Sequence, residues 1–261
     1  MRVSSLTSPE QLDWAVDEAG LGLDMSTLCS LAQYGDLGVL QHAVSRARAD
    51  VPLSWELCGA AAEGGRLDVL QWLRSIGCPW DETVAMVAAR LNLMDMLKWV
   101  RANGVDMGML TAYNAAYMGN FEALKWVHAE GCVMDYRICE AAARRGDLPM
   151  LEWARQKGCD WSPRLCAQAA LDGHLQLLIW ARRSGCPWTE LTPLAAVHGG
   201  HLDVLAWAYA NNCPADMSVI TLTAAEKARW DILKWLNDRG LCCPVAMHVA
   251  GECSAPHESP P

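Results

Sequence analysis

A tryptophan recurs along this chain every 27 residues. Trp72, Trp99, Trp126, Trp153, Trp180 and Trp207 keep that spacing without a break, and Trp235 follows after 28. Going backwards, His42 stands 30 residues before Trp72 and Trp14 another 28 before that, so nine copies fill most of the 261 residues. A period of this length marks stacked supersecondary units, not one closed core. Two positions before each anchor is a leucine in all nine copies: Leu12, Leu40, Leu70, Leu97, Leu124, Leu151, Leu178, Leu205 and Leu233. Five positions before it the column reads Leu37, Leu67, Met94, Phe121, Leu148, Leu175, Leu202 and Trp230, and one after it is always Ala, Val or Leu. These positions trace one stripe of an amphipathic helix.

Five residues past the anchor stand Gly77, Gly104, Gly131, Gly158, Gly185 and Gly240, with Asn212 as the one substitute in the well-matched copies. Gly or Asn there ends a helix in the left-handed conformation. An Ala-rich segment such as residues 139–146 precedes each anchor helix and is long enough for a shorter one. Each unit therefore reads as two antiparallel helices that cannot bury their stripe alone. Stacking them gives an all-α solenoid. The anchor indoles are expected to be fully buried within it, at roughly 3–5 kcal/mol lost on truncation to alanine.

Periodicity also explains an odd composition of 13 Trp and 12 Cys beside 5 Tyr and a single Phe. Eight Trp lie in the anchor column, and Trp80, Trp161 and Trp188 form a second column; only Trp55 and Trp230 stand outside both. Duplication of one packing solution copied them. The chain is 52% hydrophobic with a formal net charge of -9, which disfavours binding to phosphate backbones. Its first residues lack the apolar run of a secretory signal, and the longest uncharged stretch, between Asp106 and Glu122, is 15 residues, too short to span a bilayer. The expectation is a soluble cytoplasmic protein with reduced thiols, the nucleus left open as a second compartment.

The second helix resembles that of the ankyrin repeat. Residues 65–78, Gly-Arg-Leu-Asp-Val-Leu-Gln-Trp-Leu-Arg-Ser-Ile-Gly-Cys, follow that family's pattern, with the two glycines 12 apart. Gly173-His174-Leu175 and Gly200-His201-Leu202 match its helix opening, Thr192-Pro193-Leu194 the start of its first helix, and residues 246–250 one further copy cut short. The likeness covers roughly residues 8 to 250, and the period of 27 resembles the shortened arrays of protist and giant-virus proteins. Ankyrin repeats run to about 33 residues. The resemblance therefore implies helix pairs with the β-hairpin fingers shortened or absent. It also implies a scaffold that binds a protein partner on its concave face. The histidine that caps the family's first helix is replaced here by Gly59, Met86, Glu140 or Ala167, so that cap must be made otherwise.

Little in the sequence suggests chemistry. Cys78, Cys132, Cys159, Cys186 and Cys213 lie six residues after the anchor, while Cys58, Cys139 and Cys166 lie seven before a repeat glycine. No C-x-x-C occurs, and helix spacings of about 8–10 Å exceed what a disulfide between adjacent repeats can bridge. Buried thiols also pack as small hydrophobes, so a structural role is expected. Cys242, Cys243 and Cys253 are the thiols expected to be exposed. A thiol-based metal-binding or redox-responsive protein is the alternative reading. Acidic residues four before the anchor, Asp68, Asp95, Glu122, Asp203 and Asp231, suit a helix dipole better than a cleft. No nucleotide, zinc-protease or serine-hydrolase motif is present, and no enzyme activity, cofactor or metal is expected.

The positions that vary most between copies are the two before each repeat glycine. In ankyrin-like proteins they lie at the end of the first helix on the concave side. The candidate partner-binding residues are therefore Tyr34, Glu63, Arg90, Leu91, Tyr117, Met118, Arg144, Arg145, Leu171, Asp172, His198, Glu226 and Lys227. Tyr117, Met118, Arg90, Arg144 and Arg145 have the aromatic and arginine character that interfaces favour. A monomer is expected, with no nucleic acid or membrane as partner. Residues 1–7 read as an arm, 8–250 as one array with half-repeat caps at both ends, and 251–261 as a disordered Pro/Ser-rich tail. Ser8-Pro9-Glu10-Gln11 has the form of a capping box opening a lone second helix, and a three-residue insertion lies around Arg46–Pro52.

Overall fold

A computed structural model describes residues 6–47, 51–162 and 164–242. Residues 1–5 of the seven-residue arm, part of the insertion, the partial repeat at 246–250, Cys243, Cys253 and the tail lie outside the described residues. Among the described residues there are seventeen helices and no strand. The second helices of the units are α1 (Pro9–Asp17), α3 (Leu37–Ala47), α5 (Leu67–Ser75), α7 (Met94–Ala102), α9 (Phe121–Ala129), α11 (Leu148–Gln156), α13 (Leu175–Arg183), α15 (Leu202–Ala210) and α17 (Trp230–Asn237). The first helices are α2 (Met25–Tyr34), α4 (Trp55–Glu63), α6 (Thr83–Arg90), α8 (Met109–Met118), α10 (Tyr136–Arg145), α12 (Leu165–Leu171), α14 (Leu191–Gly199) and α16 (Met217–Glu226). No helix among the described residues is long and apolar enough to cross a membrane.

The chain divides into two compact units, Met1–Met134 and Asp135–Pro261. In the first unit α2, α4, α6 and α8 pack in series, each against its own second helix, and α1 packs on α3. In the second, α10, α12, α14 and α16 form the same series, backed by α11, α13, α15 and α17. Helices start where the sequence supplies caps: Ser8, Asp24, Asp135, Asp147 and Asp216 each accept a backbone N–H of the following turn. Ser8 takes that of Gln11 at 3.4 Å, and Gln11 Oε1 accepts the N–H of Thr7 at 2.9 Å. The box thus closes one residue earlier than a standard one.

Second helices end alike. At Gly77, φ is +83°, which lets the Cys78 N–H turn back to the carbonyl of Leu73 at 3.0 Å. The residue six past the anchor makes the same bond in later copies, as Cys159 to Ala154 and Cys186 to Ala181. Asn212 takes the left-handed conformation at φ +58°, as its place in the glycine column requires.

Burial corrects the expected position of the anchor. The leucines two before it are buried throughout, as are the residues three before it, Val39, Val69, Met96, Ala123, Met150, Leu177, Val204 and Ile232, and those one after. The anchor tryptophans from Trp72 to Trp235 are only half-buried, and Trp14 is exposed. Helix geometry gives the reason. At about 100° per residue, positions −3, −2 and +1 share one arc of roughly 100°, while the anchor and position −5 lie about 110° to either side of its centre. The indoles therefore flank the core.

Where His42 replaces the anchor, the flank is polar. Its Nε2 lies 2.8 Å from Asp13 Oδ1, and Arg46 pairs with both Asp13 and Asp17, so ion pairs join α1 to α3. The hydrogen bond from His42, then that from Arg46, holds the Asp13 carboxyl below its usual range.

Candidate interaction site

All thirteen candidate residues sit at the C-terminal end of a first helix. In the first unit Tyr34 ends α2, Glu63 ends α4, Arg90 ends α6 with Leu91 as its cap, and Tyr117 and Met118 end α8. In the second unit Arg144 and Arg145 end α10, Leu171 and its cap Asp172 end α12, His198 lies in the last turn of α14, and Glu226 and its cap Lys227 end α16. Most are exposed, Tyr34 at 64%. Arg90 is half-buried and its guanidinium is paired with Glu63 of the preceding copy. Tyr117 packs against Tyr113 with ring centroids 5.7 Å apart. Gln168 donates to Asp172 at 2.7 Å.

A column the sequence did not single out holds these helix ends in place. In four copies the residue six before the anchor, Arg66, Asn120, His174 or Arg229, reaches back one copy to carbonyls at the end of the preceding first helix. Arg66 donates to the Gly35 carbonyl at 2.5 Å while a fork of bonds to Asp68 fixes its guanidinium. Asn120 Nδ2 donates to the carbonyls of Ala89 and Arg90 at 2.8 and 2.9 Å. In the second unit His174 Nε2 lies 3.1 Å from the Arg144 carbonyl, and Arg229 donates to that of His198 at 2.9 Å. Arg, Asn and His share only a donor of suitable reach, so no single residue type marks the column.

Close approach also restricts the strip. A Cβ at Gly64 would lie 2.1 Å from the Gln33 carbonyl oxygen, and one at Gly199 2.1 Å from that of Leu171. Glycine at these two strip positions answers to the neighbouring backbone, and their variation is not surface drift.

The cysteine columns meet within a repeat. The thiols of Cys58 and Cys78 are neighbours, as are those of Cys139 and Cys159, and the Cys166 and Cys186 sulfurs are 3.5 Å apart, all six buried. Distances between adjacent repeats were the wrong test, because a first helix and the loop closing the same copy's second helix are in contact. Hydrogen bonding to the partner thiol, then burial, holds Cys58, Cys139 and Cys186 above the ordinary thiol range. Cys78, Cys132 and Cys213 donate to the carbonyls of Ser54, Gly108 and Thr189, each 24 residues earlier, tying the loop to the start of its own first helix. All ten described cysteines are free of disulfides; Cys242, expected exposed, is half-buried. No group of three or more His, Cys, Asp or Glu suited to a metal is found among the described residues. Asp68, Asp95, Glu122, Asp203 and Asp231 each lie in the first turn of a second helix.

Burial pushes the Cys213 thiol up to about 12 from an ordinary value of 9.0. Above pH 9 the unfolded chain sheds that proton while the folded chain keeps it, so stability falls as pH rises from 9 toward 12. Melting temperatures at pH 8 and pH 10.5 should therefore converge more closely in Cys213→Ala than in the parent.

A second constellation lies on the second helices. Arg74, Arg155 and Arg182, two past the anchor, stack over Trp80, Trp161 and Trp188 at 4.4, 4.2 and 4.1 Å from the ring centroids. Each guanidinium also donates to the carbonyl of Cys78, Cys159 or Cys186. Each of these indoles then meets the next copy's anchor edge to face: Trp80 with Trp99 at 5.5 Å, Trp161 with Trp180 at 6.1 Å and Trp188 with Trp207 at 5.6 Å. The sequence signal was an Arg exactly six residues before each tryptophan of the second column. No family model matches the chain, and no curated protein is significantly similar to it.

Proposed function

We propose that the chain is an ankyrin-like solenoid of shortened repeats, working as a non-catalytic scaffold that binds a protein partner along its first-helix ends. The observation that supports this reading is the set of capping bonds that fixes the ends of α2, α6, α10 and α14, two in each unit, where side chains of mixed chemistry are exposed. Rigid presentation lowers the entropy cost of binding. A net charge of -9 ranks nucleic acid last among partners. Arg144→Glu combined with Arg145→Glu is expected to weaken co-purification of the native partner at least tenfold, with the helical circular dichroism unchanged. Undiminished capture by that variant overturns the reading.

The three thiol pairs favour one alternative, a thiol-based metal-binding or redox-responsive protein. Metal content by mass spectrometry and a native thiol count separate the two. Under the scaffold reading the paired cysteines resist brief alkylation at pH 8 and all react in denaturant. Stoichiometric zinc, or paired thiols oxidising together, would replace it with the alternative.

A further inference from the structure

Two grooves of like construction follow one another on the second-helix side of the second unit. The first, about 520 Å³, is lined by Glu152, Arg155, Gln156, Trp161, Trp180 and Ser184. The second, about 270 Å³, is lined by Ile179, Arg182, Arg183, Trp188, Trp207 and Asn211. We propose that these two grooves bind an extended, proline-rich partner segment with acidic residues between its prolines, one proline in each groove.

The chemistry of the lining selects this occupant. One face of Trp161 and one of Trp188 already carry a guanidinium, so the place a cationic ligand would take on an indole is filled by Arg155 and Arg182. A cationic partner would also meet Arg183, which is exposed. An acidic one complements these three arginines, which outnumber the one carboxylate of the two linings, Glu152, on a chain of net charge -9. In each groove two indoles meet edge to face at 63° and offer an aromatic wall against which a pyrrolidine ring can pack. The indole N–H groups of Trp161, Trp180, Trp188 and Trp207 find no acceptor among the described residues. A polyproline helix makes no internal hydrogen bonds and offers its carbonyls outward, which answers a donor-rich groove.

Spacing agrees as well. Successive grooves are one copy apart, and the step between copies is set by the first helices α12 and α14, which pack against each other at a spacing of about 8–10 Å. A polyproline helix repeats its face every three residues, at roughly 9.3 Å. Prolines three apart therefore fall into consecutive grooves without distorting either partner. This face is separate from the first-helix ends and does not depend on their role.

Fluorescence anisotropy with the full chain tests it, using three labelled twelve-residue peptides. One is Pro-Glu-Ala repeated four times, the second has the same composition with irregular proline spacing, and the third carries Lys for Glu. Saturable binding of the first is expected, at least tenfold tighter than either control. Trp188→Ala and, separately, the surface change Arg183→Glu should each weaken it at least fivefold, the latter with circular dichroism unchanged. Arg144→Glu with Arg145→Glu should leave it unaltered. No saturable binding, equal affinity for all three peptides, or indifference to both Trp188→Ala and Arg183→Glu overturns the proposal. Loss of peptide binding in the Arg144/Arg145 variant would move the site to the first-helix ends and likewise overturn it. Self-association of the chain through the grooves, in place of peptide binding, would assign them to a second copy with the same result.

Discussion

Leu178→Ala is expected to lower unfolding stability by about 3 kcal/mol, more than the loss of about 2 kcal/mol expected from Trp180→Ala, though the tryptophan is far the larger side chain. Leu178 is buried completely among the helices of its unit, so truncation leaves a cavity. Trp180 is half-buried and gives up its edge-to-face contact with Trp161, an interaction of about 0.5–1.5 kcal/mol, together with half of its apolar area. Urea unfolding followed by far-UV circular dichroism measures both. A larger loss from Trp180→Ala than from Leu178→Ala would return the anchor to the centre of the core.

Two glycines five residues apart should respond to alanine with opposite signs. Gly64→Ala is expected to destabilise by about 2–3 kcal/mol, because the new methyl carbon meets the Gln33 carbonyl oxygen at 2.1 Å and two further Gln33 backbone atoms within 3 Å. Backbone cannot rotate aside as a side chain can, so α4 must move off α2. Gly59, in the middle of α4, has nothing within 4 Å of its Cβ position. There alanine removes only the conformational freedom of the unfolded glycine and should stabilise by about 0.5–1 kcal/mol. The pair of urea midpoints is the measurement, and stabilisation by Gly64→Ala would mean that α2 and α4 are farther apart than described.

Much of the architecture was legible because the unit is copied. Helix pairs, their glycine stops and the carboxylates in the first turns all depend on residues within one repeat, and each recurs in columns. The candidate residues at the first-helix ends were placed by the same counting. The −6 donors escaped notice because Arg66, Asn120, His174 and Arg229 differ in type and act on the preceding copy. The thiol pairs went unseen for a related reason: Cys58 and Cys78 are 20 residues apart in sequence and meet only because two helices fold back on each other.

Taken alone, then, the sequence determined the period, the helical class of each segment and where helices begin and end, since these follow from short-range hydrogen bonding and a 100° turn per residue. Only the tertiary structure decided which flank of each stripe the indoles occupy, which thiols touch, where a glycine must yield to a neighbouring carbonyl, and that Arg155 and Arg182 lie over Trp161 and Trp188. Those outcomes depend on distances between elements. A one-dimensional pattern records which residues recur, while contact requires the helices to be laid side by side.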